Sequence, residues 1–185
     1  MKRLRPVVSA VLLMVGLVAC TEDPPPEPVS TVDASFTGPR TKEVWIYARE
    51  DASLVRFAQT FTAGRSGTLD KVSVILGPAW AGPVVPVTVS VQTLAGGEPS
   101  GEVLGWAEWD GPAPPDQSTF IDLELSEPAE VVAGEQYALV FENPSTTWMT
   151  VQLGQPDYPD GQAWEHYSFW SPDPYSEVPF KTWVR

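Results

Sequence analysis

VPVTVSVQ, from Val85 to Gln92, places valine at every second position of the chain. Successive side chains of a β-strand point to opposite faces, so the four valines lie on one face and the residues between them on the other. This alternation is typical of a strand with one buried face. The segment therefore predicts a sheet that packs against a hydrophobic core.

Five more segments repeat the alternation of apolar and polar residues. Their apolar positions are Val55, Phe57 and Phe61; Val72, Val74 and Leu76; Ile121, Leu123 and Leu125; Tyr137, Leu139 and Phe141; and Val178, Phe180 and Val184. Turns rich in Gly, Pro and Asp separate the segments, and no stretch shows a sustained helical stripe. About ten strands at this spacing predict an all-β fold, an antiparallel β-sandwich of jelly-roll type.

The N-terminus has the features of a secretory signal peptide. Three basic residues lie among the first five, and a mostly apolar run extends from residue 7 to residue 18. This run is too short to cross a bilayer, which takes about 20 helical residues. Its end, Leu17-Val18-Ala19-Cys20, resembles the lipobox of bacterial lipoproteins. The resemblance implies that residues 1–19 are removed and that Cys20 is lipidated, so the membrane is a partner through the lipid anchor.

The residue after the cysteine bears on the destination of the protein. It is Thr21 rather than the aspartate that retains many lipoproteins in the inner membrane. By the same resemblance we expect a cell-envelope location at the outer membrane, on its periplasmic or its surface face.

Two parts follow the signal. Residues 20–42 carry four prolines between Pro24 and Pro28 and few apolar side chains afterwards, which predicts a disordered tether behind the lipid. Residues 43–185 are long enough for one domain with its own core and predict a single β-sandwich.

Charge and cysteine content exclude some classes of protein. The chain has 24 acidic and 11 basic residues, and loss of the signal removes three of the basic ones. The mature protein therefore carries a large net negative charge. Nucleic acid is not an expected partner, because its phosphates repel such a protein. Cys20 is the only cysteine, so a disulfide within the chain is excluded and a hydrophobic core must stabilise the domain.

Several short elements of the domain occur together in a known pattern. They are Gln59-Thr60-Phe61, Leu69 to Val74, Pro99-Ser100-Gly101, Ala133-Gly134 with Tyr137, Trp148, Gly161 with Trp164, and Phe180 to Val184. Together they resemble the jelly-roll domain of bacterial surface proteins with varied anchors, the choice-of-anchor R type. The resemblance implies a jelly-roll fold, and it implies neither an enzymatic activity nor a particular ligand.

Signals of catalysis are scarce in this sequence. His166 is the only histidine, no Gly-x-Ser-x-Gly motif is present, and the sole thiol is expected to carry lipid. We therefore expect a protein that is not an enzyme. A pair of carboxylates could hydrolyse a glycosidic bond, but nothing among 24 acidic residues selects one pair.

Calcium is the one cofactor that the sequence suggests. Asp157, Asp160 and Asp173 lie in loops near the C-terminus, and a hard cation such as Ca²⁺ takes several oxygen ligands. These three aspartates are the candidate ligands of a structural calcium ion, although no EF-hand spacing is present.

Eight tryptophans are the most unusual feature of the composition. Trp80 lies in a loop broken by Gly and Pro, and Trp183 alternates with apolar residues of the last strand, which predicts that both are exposed. Trp109 is a third candidate, because Trp106 and Trp109 are three residues apart and point to opposite faces of an unbroken strand. Exposed indoles stack on the apolar faces of sugar rings.

These observations favour a membrane-anchored envelope lipoprotein with a non-catalytic binding module, with polysaccharide or an envelope protein as its partner. The alternatives are a purely structural or protein-interaction component of the envelope and, less favoured, a glycoside hydrolase. A binding module predicts a contiguous aromatic patch with polar groups at its rim, and a hydrolase predicts a cleft with two facing carboxylates.

Overall fold

A computed structural model describes residues 28–51, 53–80, 86–111 and 119–185, with the backbone alone described at 78–80. The expected signal peptide and Cys20 lie outside the described residues.

The described residues form thirteen β-strands and no helix, and so none of them belongs to a helix that could span a membrane. In chain order the strands are β1 (Thr31–Phe36), β2 (Arg40–Ala48), β3 (Leu54–Thr62), β4 (Gly67–Val74), β5 (Leu76–Trp80), β6 (Val87–Ala95), β7 (Glu98–Trp109), β8 (Ile121–Val131), β9 (Gln136–Glu142), β10 (Trp148–Gly154), β11 (Ala163–His166), β12 (Trp170–Asp173) and β13 (Phe180–Val184).

The strands pair antiparallel along one curled path. The order is β1-β13-β4-β8-β7-β6-β9-β3-β2-β10-β5, and β11 joins β3 while β12 joins β11. The path bends in two places, because β7 pairs with β8 at one residue position and β2 pairs with β3 at two. These bends fold the sheet into two layers, which confirms the predicted antiparallel β-sandwich.

One layer is assembled from strands that lie end to end. β4 and β5 are separated by Ile75 alone, and β13 and β10 pair in turn with these two halves. β1 and β2 pair in the same way with β13 and β10. β8 completes this layer beside β4. The inward side chains of this layer share one core with those of the other layer, which is formed by β3, β6, β7, β9 and β11.

The core between the layers follows the predicted alternation. Val87, Val89 and Val91 are buried, whereas Val85 lies outside the described residues. Aromatic rings link the layers: Phe61 of β3 lies 5.8 Å from Phe180 of β13, measured between ring centroids. Burying such rings contributes a large part of the hydrophobic stabilisation of a small domain.

Strand β1 and the first residues of β2 lie in the segment that the sequence predicts as tether. Ala34 and Phe36 of β1 are buried, and the hydroxyl of Thr182 accepts a hydrogen bond of 3.0 Å from the Ala34 amide. The tether prediction is therefore wrong from Thr31 to Lys42. Backbone pairing with β13 orders this edge strand, and two inward side chains are too few for a composition argument to detect.

Two of the eight tryptophans cover the outside of the other layer. Small residues of β3 and β9, namely Ala58, Ala138 and Val140, are fully buried beneath Trp164 and Trp170. These two indoles have a structural role, because they shield apolar residues that would otherwise face water.

Candidate functional site

Three aromatic side chains project together from β2 and β10. In β2, Trp45 and Tyr47 point outward while Ile46 and Ala48 between and beside them are buried. Tyr47 lies next to Trp148 of β10, since Met149 pairs with Ile46 in the antiparallel register. We call Trp45, Tyr47 and Trp148 the aromatic face.

The rings of the aromatic face contact one another and remain accessible. Trp45 and Trp148 are stacked with centroids 5.1 Å apart, and Tyr47 lies 5.3 Å from Trp148. Trp45 is 45% exposed and Trp148 is 39% exposed. A contiguous exposed apolar patch of this kind marks an interaction site in a soluble domain far more often than single exposed residues do.

A cleft lies on one side of Tyr47, where β2 separates from β3. The two strands pair at Tyr47 and Ala48, and β11 then replaces β2 as the neighbour of β3. The resulting fork leaves a cleft of about 230 Å³. Its lining residues are Glu43, Val44, Trp45, Tyr47, Val55 and Tyr167.

A second cleft lies on the other side of Tyr47. It has a volume of about 370 Å³ and is lined by Tyr47, Ala48, Arg49, Glu50, Thr146 and Trp148. The Arg49 guanidinium lies 5.6 Å from the centroid of the Tyr167 ring. Aromatic walls and charged groups therefore alternate around Tyr47.

Polar groups continue the surface along β2 and β10. The Gln152 amide donates a hydrogen bond of 3.2 Å to the Glu43 carboxylate, which orients both side chains. Beside them a third cleft, of about 290 Å³, is lined by Arg40, Thr41, Lys42, Glu43 and Gln152. The arrangement offers stacking surface next to hydrogen-bonding groups, which is what a binding site for a ring with both apolar faces and hydroxyls requires.

The loop before Trp148 is fixed by a buried amide. The side-chain nitrogen of Asn143 donates to the carbonyls of Ile46 at 3.2 Å and Thr147 at 2.6 Å. Its side-chain oxygen accepts a hydrogen bond of 2.9 Å from the Ser145 amide. Trp148 is thus held against β2 by the hydrogen bonds of a buried side chain.

Trp183 lies on the polar face of β13 with Lys181, as predicted, but it is half-buried rather than exposed. Its indole nitrogen donates a hydrogen bond of 2.8 Å to the Ser73 hydroxyl, and the Lys71 ammonium lies 3.9 Å from the ring centroid. These contacts occupy the ring, and Trp183 is not part of the aromatic face.

Trp109 is buried in the core, which corrects its assignment as a ligand-binding candidate. It pairs with Val87 at the end of β7, and the same face carries the buried Ala107. Trp106, on the opposite face, is 36% exposed. Trp80 ends β5 opposite Trp148, and its side chain lies outside the described part of the structure.

The structure does not bring the three calcium candidates together. Asp157 and Asp160 are exposed, whereas Asp173 is buried and accepts hydrogen bonds from the Tyr175 amide, the Ser176 hydroxyl and, at 3.4 Å, the Lys42 ammonium. Within the described ranges, no three acidic, histidine or cysteine side chains are grouped as metal ligands. The predicted site at these aspartates is thus not formed, because Asp173 is engaged by its own turn and by β2.

Glu177 is an unusual buried carboxyl that the sequence analysis missed. It is 5% exposed, and its Oε2 atom has no hydrogen-bond partner. Burial raises the pKa of Glu177 to about 7; a hydrogen bond with Gln59 opposes the shift and the charge of Asp173 adds to it. Its burial sets it apart from the open surface of the aromatic face.

The aromatic face itself was also missed, although its signal is present in the sequence. Val44-Trp45-Ile46-Tyr47-Ala48 alternates aliphatic and aromatic residues, which places both rings on the face opposite Ile46. Trp148 joins them only through the pairing of β10 with β2, which alternation alone does not reveal.

No protein-family model matches the chain, and no curated protein matches it significantly. The functional argument therefore depends on the surface itself.

Proposed function

We propose that this protein is a lipid-anchored protein of the cell envelope whose β-sandwich binds polysaccharide on the aromatic face without cleaving it. The observation that carries the proposal is the cluster of Trp45, Tyr47 and Trp148, in which both indoles are exposed beside clefts with polar walls. Exposing two indoles leaves apolar area in water that a ligand can cover.

Sugar chemistry fits this combination of groups. A pyranose ring presents axial C–H groups on its faces and hydroxyls on its rim, so it stacks on an indole while carboxylates and amides bind the hydroxyls. Glu43 and Gln152 supply such groups on one side of the aromatic face, and Arg49 and Glu50 supply them on the other. The geometry is that of a pre-formed surface that needs little ordering on binding.

Polysaccharide binding by purified variants tests the proposal. Trp45→Ala and Trp148→Ala should each weaken binding to glycans on an array, and to the insoluble polysaccharide that retains the parent protein, by roughly tenfold or more. Both should unfold near the parent temperature, because the rings lie outside the core. Trp106→Ala is the matched control, since it removes an indole of similar exposure from β7. Equal losses in all three variants, or an array on which the parent binds no glycan, would contradict the proposal and favour a structural or protein-interaction role.

The membrane part of the proposal depends on Cys20. Cys20→Ser should release the protein from the membrane fraction or leave an uncleaved precursor, because a lipobox without its thiol cannot be acylated. Fractionation and mass spectrometry of the mature N-terminus distinguish these outcomes from the parent. A variant that still fractionates with membranes after normal cleavage would overturn the lipoprotein assignment.

A further inference from the structure

The three clefts of the outer face form one row along β2. The cleft at Arg40 to Glu43 shares Glu43 with the cleft at the fork, and that cleft shares Tyr47 with the one at Arg49 and Glu50. Neighbouring clefts are therefore adjacent, with one side chain as their common wall. The row begins at the first residue of β2 and passes its last.

The row is long compared with a single sugar ring. β2 has nine residues, which at about 3.3 Å per residue gives a length of roughly 30 Å. A ligand that uses the whole row must be an extended polymer, because a compact molecule would fill one cleft and leave the others empty.

Both ends of the row are open. Arg40 at one end and Glu50 at the other are exposed. Arg40 also lines a further cleft, formed with Thr37, Gly38, Pro39, Ile75, Phe120 and Pro179, so the surface continues beyond the start of β2. A site that recognises a chain terminus needs a wall against which the terminus stops, whereas an exposed side chain at each end lets a polymer continue past it.

The binding groups change along the row from polar to aromatic to charged. Hydrogen-bonding groups stand at Glu43 and Gln152, the stacked rings occupy the middle, and Arg49 and Glu50 follow. The aromatic rings can stack on a single sugar unit. The polar groups on either side add contacts only when the oligosaccharide is long enough to reach them.

We infer that the ligand is a linear polysaccharide bound through its interior, with several consecutive units lying along β2. The inference rests on the proposed function and specifies its ligand. Binding energy is then divided among units at the centre and at both ends of the row.

Affinity as a function of chain length tests the inference. The probes are gluco-, xylo-, manno- and chito-oligosaccharides of one to six units, measured by calorimetry on the intact domain. For the series that binds, affinity should rise at least tenfold from the disaccharide to the hexasaccharide. Reduction of the hexasaccharide opens its terminal ring alone and should lower the affinity no further than to that of the pentasaccharide.

Variants at the ends of the row separate this geometry from a single sugar pocket. Arg40→Ala and Glu50→Ala should weaken the hexasaccharide severalfold and leave the disaccharide unaffected, whereas Trp148→Ala should weaken both. A monosaccharide that binds as tightly as the hexasaccharide, or loss of binding on terminal reduction, would overturn this inference and leave the proposed function standing. Absence of binding to every series would overturn the proposed function as well.

Discussion

Glu177 shows how one side chain can make the stability of this domain depend on pH. An ionised carboxylate that is buried with an unpartnered oxygen loses its hydration without full compensation. In the folded state Glu177 titrates at about 7, compared with 4.5 for an ordinary glutamate, because burial disfavours its charged form. The folded protein therefore binds this proton more tightly than the unfolded chain does.

Because the folded state binds this proton more tightly, the domain becomes less stable as the pH rises. The stability that Glu177 contributes is fully present below about pH 4.5 and is lost as the pH rises through 7. Glu177→Gln keeps a neutral side chain of the same size, so its free energy of unfolding should match the parent at pH 4 and exceed it at pH 8 by about 1–3 kcal/mol. Denaturant titrations at both pH values measure this difference.

Glu98→Gln provides the control for this experiment, because Glu98 is an exposed residue at the start of β7. It should leave the pH dependence of stability as in the parent. If Glu177→Gln is instead less stable than the parent at pH 8, the buried carboxyl is stabilising when ionised and our assignment of its effect is wrong.

At the scale of the element, the loop between β9 and β10 connects the buried part of the domain to the aromatic face. Asn143 is fully buried, and its side chain satisfies two carbonyls, one of them in β2, and one amide. Its hydrogen bonds hold the loop from which Trp148 emerges. The position of that indole opposite Tyr47 therefore depends on an amide that lies beneath the surface.

Asn143→Ala tests this dependence. Loss of the amide leaves buried carbonyls without a partner and should lower the free energy of unfolding by about 1–3 kcal/mol. It should also weaken polysaccharide binding, because Trp148 is no longer fixed against β2. Gln155→Ala, which removes an exposed amide side chain just after β10, should change neither quantity. Lower stability with unchanged affinity would show that Asn143 supports the core and not the aromatic face.

Alternation within an element was predictable from the sequence, and partners between elements were not. The inward faces at Val87, Val89 and Val91 were correct because they depend on neighbouring residues alone. Trp109 was misassigned because alternation says that it opposes Trp106 without saying which of the two faces the core. Likewise, the contact of Trp148 with Tyr47 follows from the pairing of distant strands. Among the described residues the three aspartates form no common metal site, and their loop positions are equally hidden from alternation.

At the scale of the whole molecule, the domain begins closer to Cys20 than the composition indicates. Strand β1 starts at Thr31, and the eleven residues from Cys20 cannot span more than about 40 Å even when fully extended. A lipid on Cys20 would therefore keep the sandwich, and the aromatic face that we propose as its binding surface, near the membrane.

Two N-terminal truncations measure where the domain begins. A chain that starts at Pro28 retains β1 and all of β2 and should unfold at the temperature of the full mature protein. A chain that starts at Glu43 lacks β1, exposes the edge of β13, and loses the buried side chains of Ala34 and Phe36. Loss of a buried phenylalanine alone costs about 3–5 kcal/mol, and the shorter chain should therefore melt well below the longer one or fail to fold. Thermal unfolding followed by circular dichroism compares the two chains. Equal melting temperatures would mean that β1 adds nothing to the sandwich and would restore the boundary at residue 43, since the shared residues would then account for the whole of the stability.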